Sequence, residues 1–162
     1  MRVIRIVEGT SVDGPGLRTA IYFAGCDHHC PGCHNPSTWD ANAGEEISID
    51  EITAFVEESG LNVTLTGGDP LYNPTAALAL VKELKQRGFN IWCYTGYTFE
   101  QVLSRDELRA VANYIDVLVD GPFILEQRDI KLRFRGSANQ RLIDVPRSIA
   151  AGTVILFDDG ND

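Results

Sequence analysis

The chain offers no stretch that reads as an export signal or a membrane span. Its first residues, Met1-Arg2-Val3-Ile4-Arg5-Ile6-Val7-Glu8, set charges among the apolar positions before either could form. A soluble cytoplasmic protein with no membrane partner is therefore expected. Cations are scarce as well, 14 Lys and Arg against 23 Asp and Glu, for a formal net charge of -9. Such a surface repels polyanions, which argues against electrostatically driven nucleic-acid binding. Repeats and low-complexity segments are missing. Cysteine is sparse and unevenly placed: of the four, three crowd between Cys26 and Cys33 while Cys93 stands apart, unlike a secreted disulfide framework. Clustered thiols in a reducing compartment point to metal.

What is present suits one ordered core. A length of 162 residues with 44% hydrophobic and 23% charged composition is enough for one domain and short for two. The expectation is a single domain over residues 1–162, with an irregular tail near 158–162. Short β-branched runs alternate with helix-like segments, the order of a largely parallel sheet. Strands are expected at Leu17 to Ala24, Asn62 to Thr66, Asn90 to Thr95, Asp116 to Val119 and Thr153 to Phe157. Ser48 with Glu51 and Ser104 with Glu107 fit the capping box that opens a helix, and Thr98 with Gln101 is a weaker version.

Asn73-Pro74 starts the clearest helix and Gly88 ends it, with Ala77, Val81 and Leu84 on the face that packs against a sheet. Beyond Asp120, Gly121-Pro122, Gly136 and Pro146 break the pattern. There Lys131, Arg133 and Arg135 alternate as they would along one face of a strand. So few β-α units cannot complete an eight-stranded barrel of about 250 residues. The expected fold class is α/β with an incomplete, open barrel-like sheet.

Directly after the first expected strand comes Gly25-Cys26-Asp27-His28-His29-Cys30-Pro31-Gly32-Cys33-His34, a C-x3-C-x2-C arrangement. A four-iron cluster takes a thiolate on each iron, so three neighbouring cysteines either recruit a distant ligand or leave one iron open. Zinc is the alternative, with Cys26, Cys30, Cys33 and one of His28, His29 or His34 closing a structural site. Cys93 as a fourth ligand is a third possibility, although its Ile91-Trp92-Cys93-Tyr94 setting suits a small buried hydrophobe.

This loop resembles the hallmark of the radical S-adenosylmethionine enzymes. Val12-Asp13-Gly14-Pro15-Gly16-Leu17-Arg18 before it and His34-Asn35-Pro36-Ser37-Thr38-Trp39 after it are similar to the activating enzymes of glycyl-radical proteins. Within them, the branch that activates anaerobic ribonucleotide reductases is the best match. That resemblance rests on Gly67-Gly68-Asp69-Pro70-Leu71, Trp92 with Tyr94-Thr95-Gly96-Tyr97, Val117-Leu118-Val119-Asp120-Gly121 and Arg135-Gly136-Ser137-Ala138-Asn139-Gln140-Arg141. Gly32 stands where many radical enzymes have an aromatic residue and Asp69 where many have Glu, and both variants look familiar in this branch. Pyruvate formate-lyase activators, the nearest alternative, look considerably longer. A non-enzymatic zinc-binding module is the rival from another class.

The resemblance implies a 4Fe-4S cluster on Cys26, Cys30 and Cys33, with S-adenosylmethionine chelated at the open iron. Reductive cleavage would release a 5'-deoxyadenosyl radical that abstracts hydrogen from a glycine of the large reductase subunit. An electron donor such as flavodoxin or ferredoxin is implied as a second partner. The implied cofactor contacts are Gly32, Cys33, His34, Gly67, Gly68, Asp69 and Asp120, with the Gly67-Gly68-Asp69-Pro70 turn at the methionine end. Read from residues alone, Gly67-Gly68 permits close backbone approach at a strand end. Asp120 can equally accept from a ligand or cap a turn, and His34 can be simply exposed. Arg18 and the turn before it are implied at the active-site mouth, whereas Arg135 and Arg141 suit either a partner surface or ordinary pairing.

Overall fold

Four of the expected strands form and lie side by side in one sheet. The computed structural model describes residues 1–159. In chain order its main elements are β1 (Arg2–Thr10), β2 (Arg18–Phe23), β3 (Glu45–Glu46), α1 (Ile49–Ser59), β4 (Asn62–Gly67), α2 (Pro74–Gln86), β5 (Ile91–Tyr94), α3 (Phe99–Ser104), α4 (Asp106–Ala112), β6 (Val117–Asp120), β7 (Arg141–Asp144) and α5 (Val145–Ala151). The strand order is β3-β1-β2-β4-β5-β6-β7. Neighbours from β2 to β6 run parallel, while β1, β3 and β7 join antiparallel at the two sides. The result is an open α/β sheet with a parallel centre, consistent with a partial radical S-adenosylmethionine barrel. No helix among the described residues is long and apolar enough to cross a membrane.

Two-residue alternation divides the sheet into two faces. Ile21, Phe23, Val63, Leu65, Ile91, Cys93, Leu118 and Ile143 pack with Ile52 and Val56 of α1, Leu80 and Leu84 of α2, and Val102 and Val111 of α3 and α4. Each large aliphatic side chain buried there contributes about 1.5–3 kcal/mol. The opposite face carries Trp92, Val117, Val119 and Leu142, covered by Phe134 and Phe157 from the chain after β6.

Helix starts follow local chemistry. Ser48 Oγ accepts from Glu51 N at 3.1 Å and Asn73 Oδ1 from Ala76 N at 3.2 Å. Thr98 and Gln101 form the complete reciprocal box that sequence rated weakest. Ser104 does not cap α4: it closes α3, its hydroxyl donating to Gln101 O at 2.7 Å, and Arg105 takes the cap position.

Other expectations are corrected by tertiary structure. Thr153 to Phe157 makes no strand, since beyond one bridge between Ile143 and Leu156 the segment is held by separate bonds at Ile155 and Phe157. Lys131, Arg133 and Arg135 do not share a strand face, because their segment is a series of bends in which Phe134 adopts φ +63. At the tail, Asp159 O accepts from Arg133 at 2.7 Å; residues 160–162 lie outside the described residues.

Arg18 also sits elsewhere than implied. It begins β2, beside the starts of β4 and β5, so it closes the bottom of the half-barrel, opposite the strand ends that carry the cysteine loop. Its side chain is buried, donating to Thr64 Oγ1 at 2.9 Å, Val63 O at 2.8 Å and Asn90 O at 3.1 Å, with the guanidinium over Trp92. Burial pushes its pKa down to about 10. Gly14 leaves room for it, since a Cβ there would lie 2.7 Å from Arg18 Cδ. Arg18→Ala strands four acceptors, Asn90 Oδ1 at 3.0 Å being the fourth, and opens a void, so denaturant titration should show about 2–4 kcal/mol lost. A loss under about 0.5 kcal/mol, as at an ordinary surface position, would refute the plug role.

Candidate metal centre

β2 delivers the chain to Gly25 and the cysteine loop leaves from there. The loop is stapled back on itself: Gly25 N donates to Thr38 O at 2.7 Å, Cys26 N to Trp39 O at 3.2 Å and Cys33 N to Cys30 O at 3.0 Å. Two residues in left-handed conformation, His29 at φ +47 and Gly32 at φ +78, turn the backbone between the thiols. A Cβ on Gly32 would meet Leu125 Cδ1 at 2.8 Å, so a side chain here would collide with a neighbouring loop.

Cys26, Cys30 and Cys33 are all free thiols, the first buried and the others partly exposed. They line one cavity of about 150 Å³ together with Thr66, Gly67, Gly68, Tyr94, Thr95, Gly96, Gly121 and Phe123. These neighbours come from the carboxyl ends of β4, β5 and β6, the end at which parallel α/β sheets place ligands. A second cavity of about 330 Å³ shares Cys33, Thr66, Tyr94, Phe123 and Gln140 with the first and adds His34, Phe134 and Arg135.

The donor set fits an iron–sulfur cluster. All three loop thiols are free and line one cavity, and a thiolate-rich site of this kind suits an iron–sulfur cluster. Of the histidines that a Cys3His zinc site would need, only His28 lines the cavity of the thiols, and each of the three has a contact of its own. His28 Nε2 lies 2.7 Å from Asp69 Oδ2, His29 stacks on Trp39 at 4.5 Å, and His34 leans on Phe123 at 5.2 Å. Cys93 points into the helix-side core and has no exposure. Burial pushes the Cys26 and Cys93 thiols up; a bound iron reverses that preference and holds a ligating thiolate deprotonated.

The acidic candidates have work of their own. Asp69 is buried, and its Oδ2 accepts from His28, from Thr95 Oγ1 at 2.9 Å and from Gly96 N at 3.0 Å, while Oδ1 accepts from Leu71 N at 2.9 Å. It ties the cysteine loop to the ends of β4 and β5. The carboxylate hydrogen bond pushes His28 up. Asp120, also buried, accepts from Phe99 N at 2.8 Å, capping α3, and from Arg141 Nη2 at 2.6 Å and Nε at 3.2 Å. Arg141 further reaches Glu100 at 2.7 Å, and these bonds hold it firmly protonated. Neither Asp69 nor Asp120 lines the cavity of the thiols, which Gly67 and Gly68 do.

Sequence reading missed several of these neighbours. Thr95-Gly96 follows β5 as Gly67-Gly68 follows β4, so its strand-end position was a usable signal. The pairing of His28 with Asp69 spans 41 residues and left no local trace.

Comparison with known proteins agrees with this geometry. Residues 12–143 match the family described as a 4Fe-4S single cluster domain. The chain is 42% identical to an anaerobic ribonucleoside-triphosphate reductase-activating protein of Vibrio cholerae over 139 residues, 80% of this chain and 88% of that protein. It is 37% identical over 139 residues to the protein of that name from Escherichia coli K12, covering 80% and 89%. The phage T4 protein of the same name is 39% identical over 150 residues, covering 88% and 93%. With a cysteine loop at the carboxyl ends of a partial barrel and matches of this extent, the chain belongs to the radical S-adenosylmethionine activating proteins of anaerobic ribonucleoside-triphosphate reductases.

Proposed function

We propose that this chain activates an anaerobic ribonucleotide reductase by generating a glycyl radical on it, with Cys26, Cys30 and Cys33 as the cluster ligands. The observation that carries this reading is the pair of adjoining cavities, one walled by three free thiols and the other opening from the same wall. A 4Fe-4S cluster held by Cys26, Cys30 and Cys33, with S-adenosylmethionine beside it, would supply the radical chemistry that takes a hydrogen atom from glycine. The protein's part is to bind, orient and shield.

Gly67 and Gly68 bring backbone, not side chains, to the thiol cavity. Asp69 fixes the loop bearing Cys26 and Cys30 against Thr95 and Gly96. Tyr94, on the wall of both cavities, is held by its hydroxyl bond to Phe134 O at 2.5 Å. Cys30 and Cys33 stay partly exposed, which leaves the mouth for the reductase to cover. A glycine-bearing loop seated there excludes water and sets its carbon beside the radical.

We read the chain as one domain, since one sheet runs through it, and place it in the cytoplasm, where four free thiols stay reduced. The one electron needed comes from a low-potential donor such as flavodoxin or ferredoxin. The relatives' shared name favours the reductase over a formate lyase as target. Mixing reduced activator, S-adenosylmethionine and the reductase of the same cell should give a glycyl-radical electron paramagnetic resonance doublet on the reductase, absent when its target glycine is alanine. A doublet only on a formate-lyase-type partner would refute the reductase assignment.

A further inference from the structure

Phe134, Arg135, Gly136 and Gln140 help to wall the second cavity, and the polar groups of the chain from Phe134 to Arg141 are almost completely paired. Gln140 Oε1 accepts from Gly136 N and Ser137 N at 2.9 and 3.2 Å, and its Nε2 donates to Gly121 O at 3.1 Å. Ser137 Oγ donates to Asn139 Oδ1 at 2.6 Å, and Asn139 Nδ2 to Pro122 O at 2.7 Å. Arg135 Nη1 donates to Gln140 O at 2.7 Å. Arg135 Nε is different: it is the buried side-chain polar atom that has no hydrogen-bond partner among the described residues. The residue before it, Phe134, holds φ +63, costly for a bulky side chain. Strained residues cluster at ligand clamps, and an unsatisfied buried donor calls for a partner.

Resting on the functional reading above, we propose that Arg135 binds S-adenosylmethionine, its Nε donating to an acceptor on the adenosyl end, a ribose oxygen or a ring nitrogen of adenine. Arg135 lines the cavity with His34, Phe123 and Tyr94, and on another side a cavity of about 410 Å³ with Arg133, Arg141 and Phe157, but not the cavity walled by Cys26 and Cys30. In the functional reading above, the methionyl end would lie on the thiol side, where the cluster would be held. A guanidinium would repel the sulfonium between the two ends, so the donor serves the far end. Aromatic walls there suit a flat base.

The test is binding to the cluster-loaded protein, kept anaerobic, with iron content measured on each variant. Arg135→Met and Arg135→Lys both remove the Nε donor, and the lysine keeps the charge. Each should weaken S-adenosylmethionine binding about tenfold, the scale of one lost buried hydrogen bond. The same loss should appear with 5'-deoxyadenosine as probe and not with methionine. Arg128→Met, at an exposed cation that lines neither cavity, should bind like the parent protein. Unchanged binding in both Arg135 variants overturns the proposal. So does loss of iron in both, which would make the residue part of the cluster loop's support, and so does a loss confined to methionine. If the parent protein itself binds no S-adenosylmethionine, the functional reading falls first.

Discussion

Cys26→Ala, Cys30→Ala and Cys33→Ala should each emerge from anaerobic reconstitution nearly free of iron, whereas Cys93→Ala should keep about four irons per chain. The three loop thiols face a common cavity, and the one histidine that lines it with them, His28, is bonded to Asp69. His28 is committed to Asp69, His29 to Trp39 and His34 to Phe123. An iron that loses its thiolate is left to solvent, and the cluster follows. Cys93 lies on the helix-facing side of β5, against the core, so its removal leaves a small void worth about 1 kcal/mol and touches no iron. Iron analysis with the visible absorption of the cluster reads both outcomes. Retention of the cluster after loss of any loop cysteine, or its loss with Cys93, would break the ligand assignment.

The cluster loop was legible because chemistry demands a spacing that the sequence displays openly. Three thiols within eight residues announce themselves without any fold. The parallel strands were legible for a related reason: buried on both faces, they read as continuous runs such as Ile91-Trp92-Cys93-Tyr94. β1 was not, since only Val3 in it is buried, it carries Arg2, Arg5 and Glu8, and it is irregular at two places that spoil the two-residue period. β7 offers only Leu142 and Ile143 as buried residues, too short a pattern to read.

The acidic residues mark the other limit. Asp69 and Asp120 each stand at a strand end, where a ligand-facing carboxylate and a structural one look the same in sequence. What sequence does not display is the partner each has across the fold. Thr95 and His28 reach Asp69 from β5 and the cysteine loop, while Arg141 reaches Asp120 from the neighbouring strand. Arg18 shows the same limit from the opposite end of the sheet. Its place at the start of β2 was visible, but the direction of that strand relative to the cavity was not.

Gly68 is the position where sequence and structure predict different experiments. Read alone, a glycine pair at a strand end makes room for a ligand, and a side chain should then block S-adenosylmethionine while leaving the cluster in place. The structure gives Gly68 another neighbour: a Cβ built on it would lie 2.4 Å from Gly25 O and 2.8 Å from Thr38 O. Both are backbone atoms at the roots of the cysteine loop, and neither can rotate away. The contact is drawn in from both sides, since Gly68 N donates to Phe23 O and Asp69 N to Gly25 O, each at 2.8 Å. Even Gly68→Ala must therefore displace the segment that carries Cys26, at a cost of about 3 kcal/mol from overpacking. The expected result is a protein with little iron after reconstitution and a lowered denaturation midpoint, not a loaded cluster that fails to bind its cofactor. Gly121→Ala makes the comparison, because a Cβ there meets nothing closer than Asn139 Nδ2 at 3.6 Å and the cost is limited to its φ of +91. Full iron in Gly68→Ala together with lost S-adenosylmethionine binding would restore the ligand-facing explanation of this glycine.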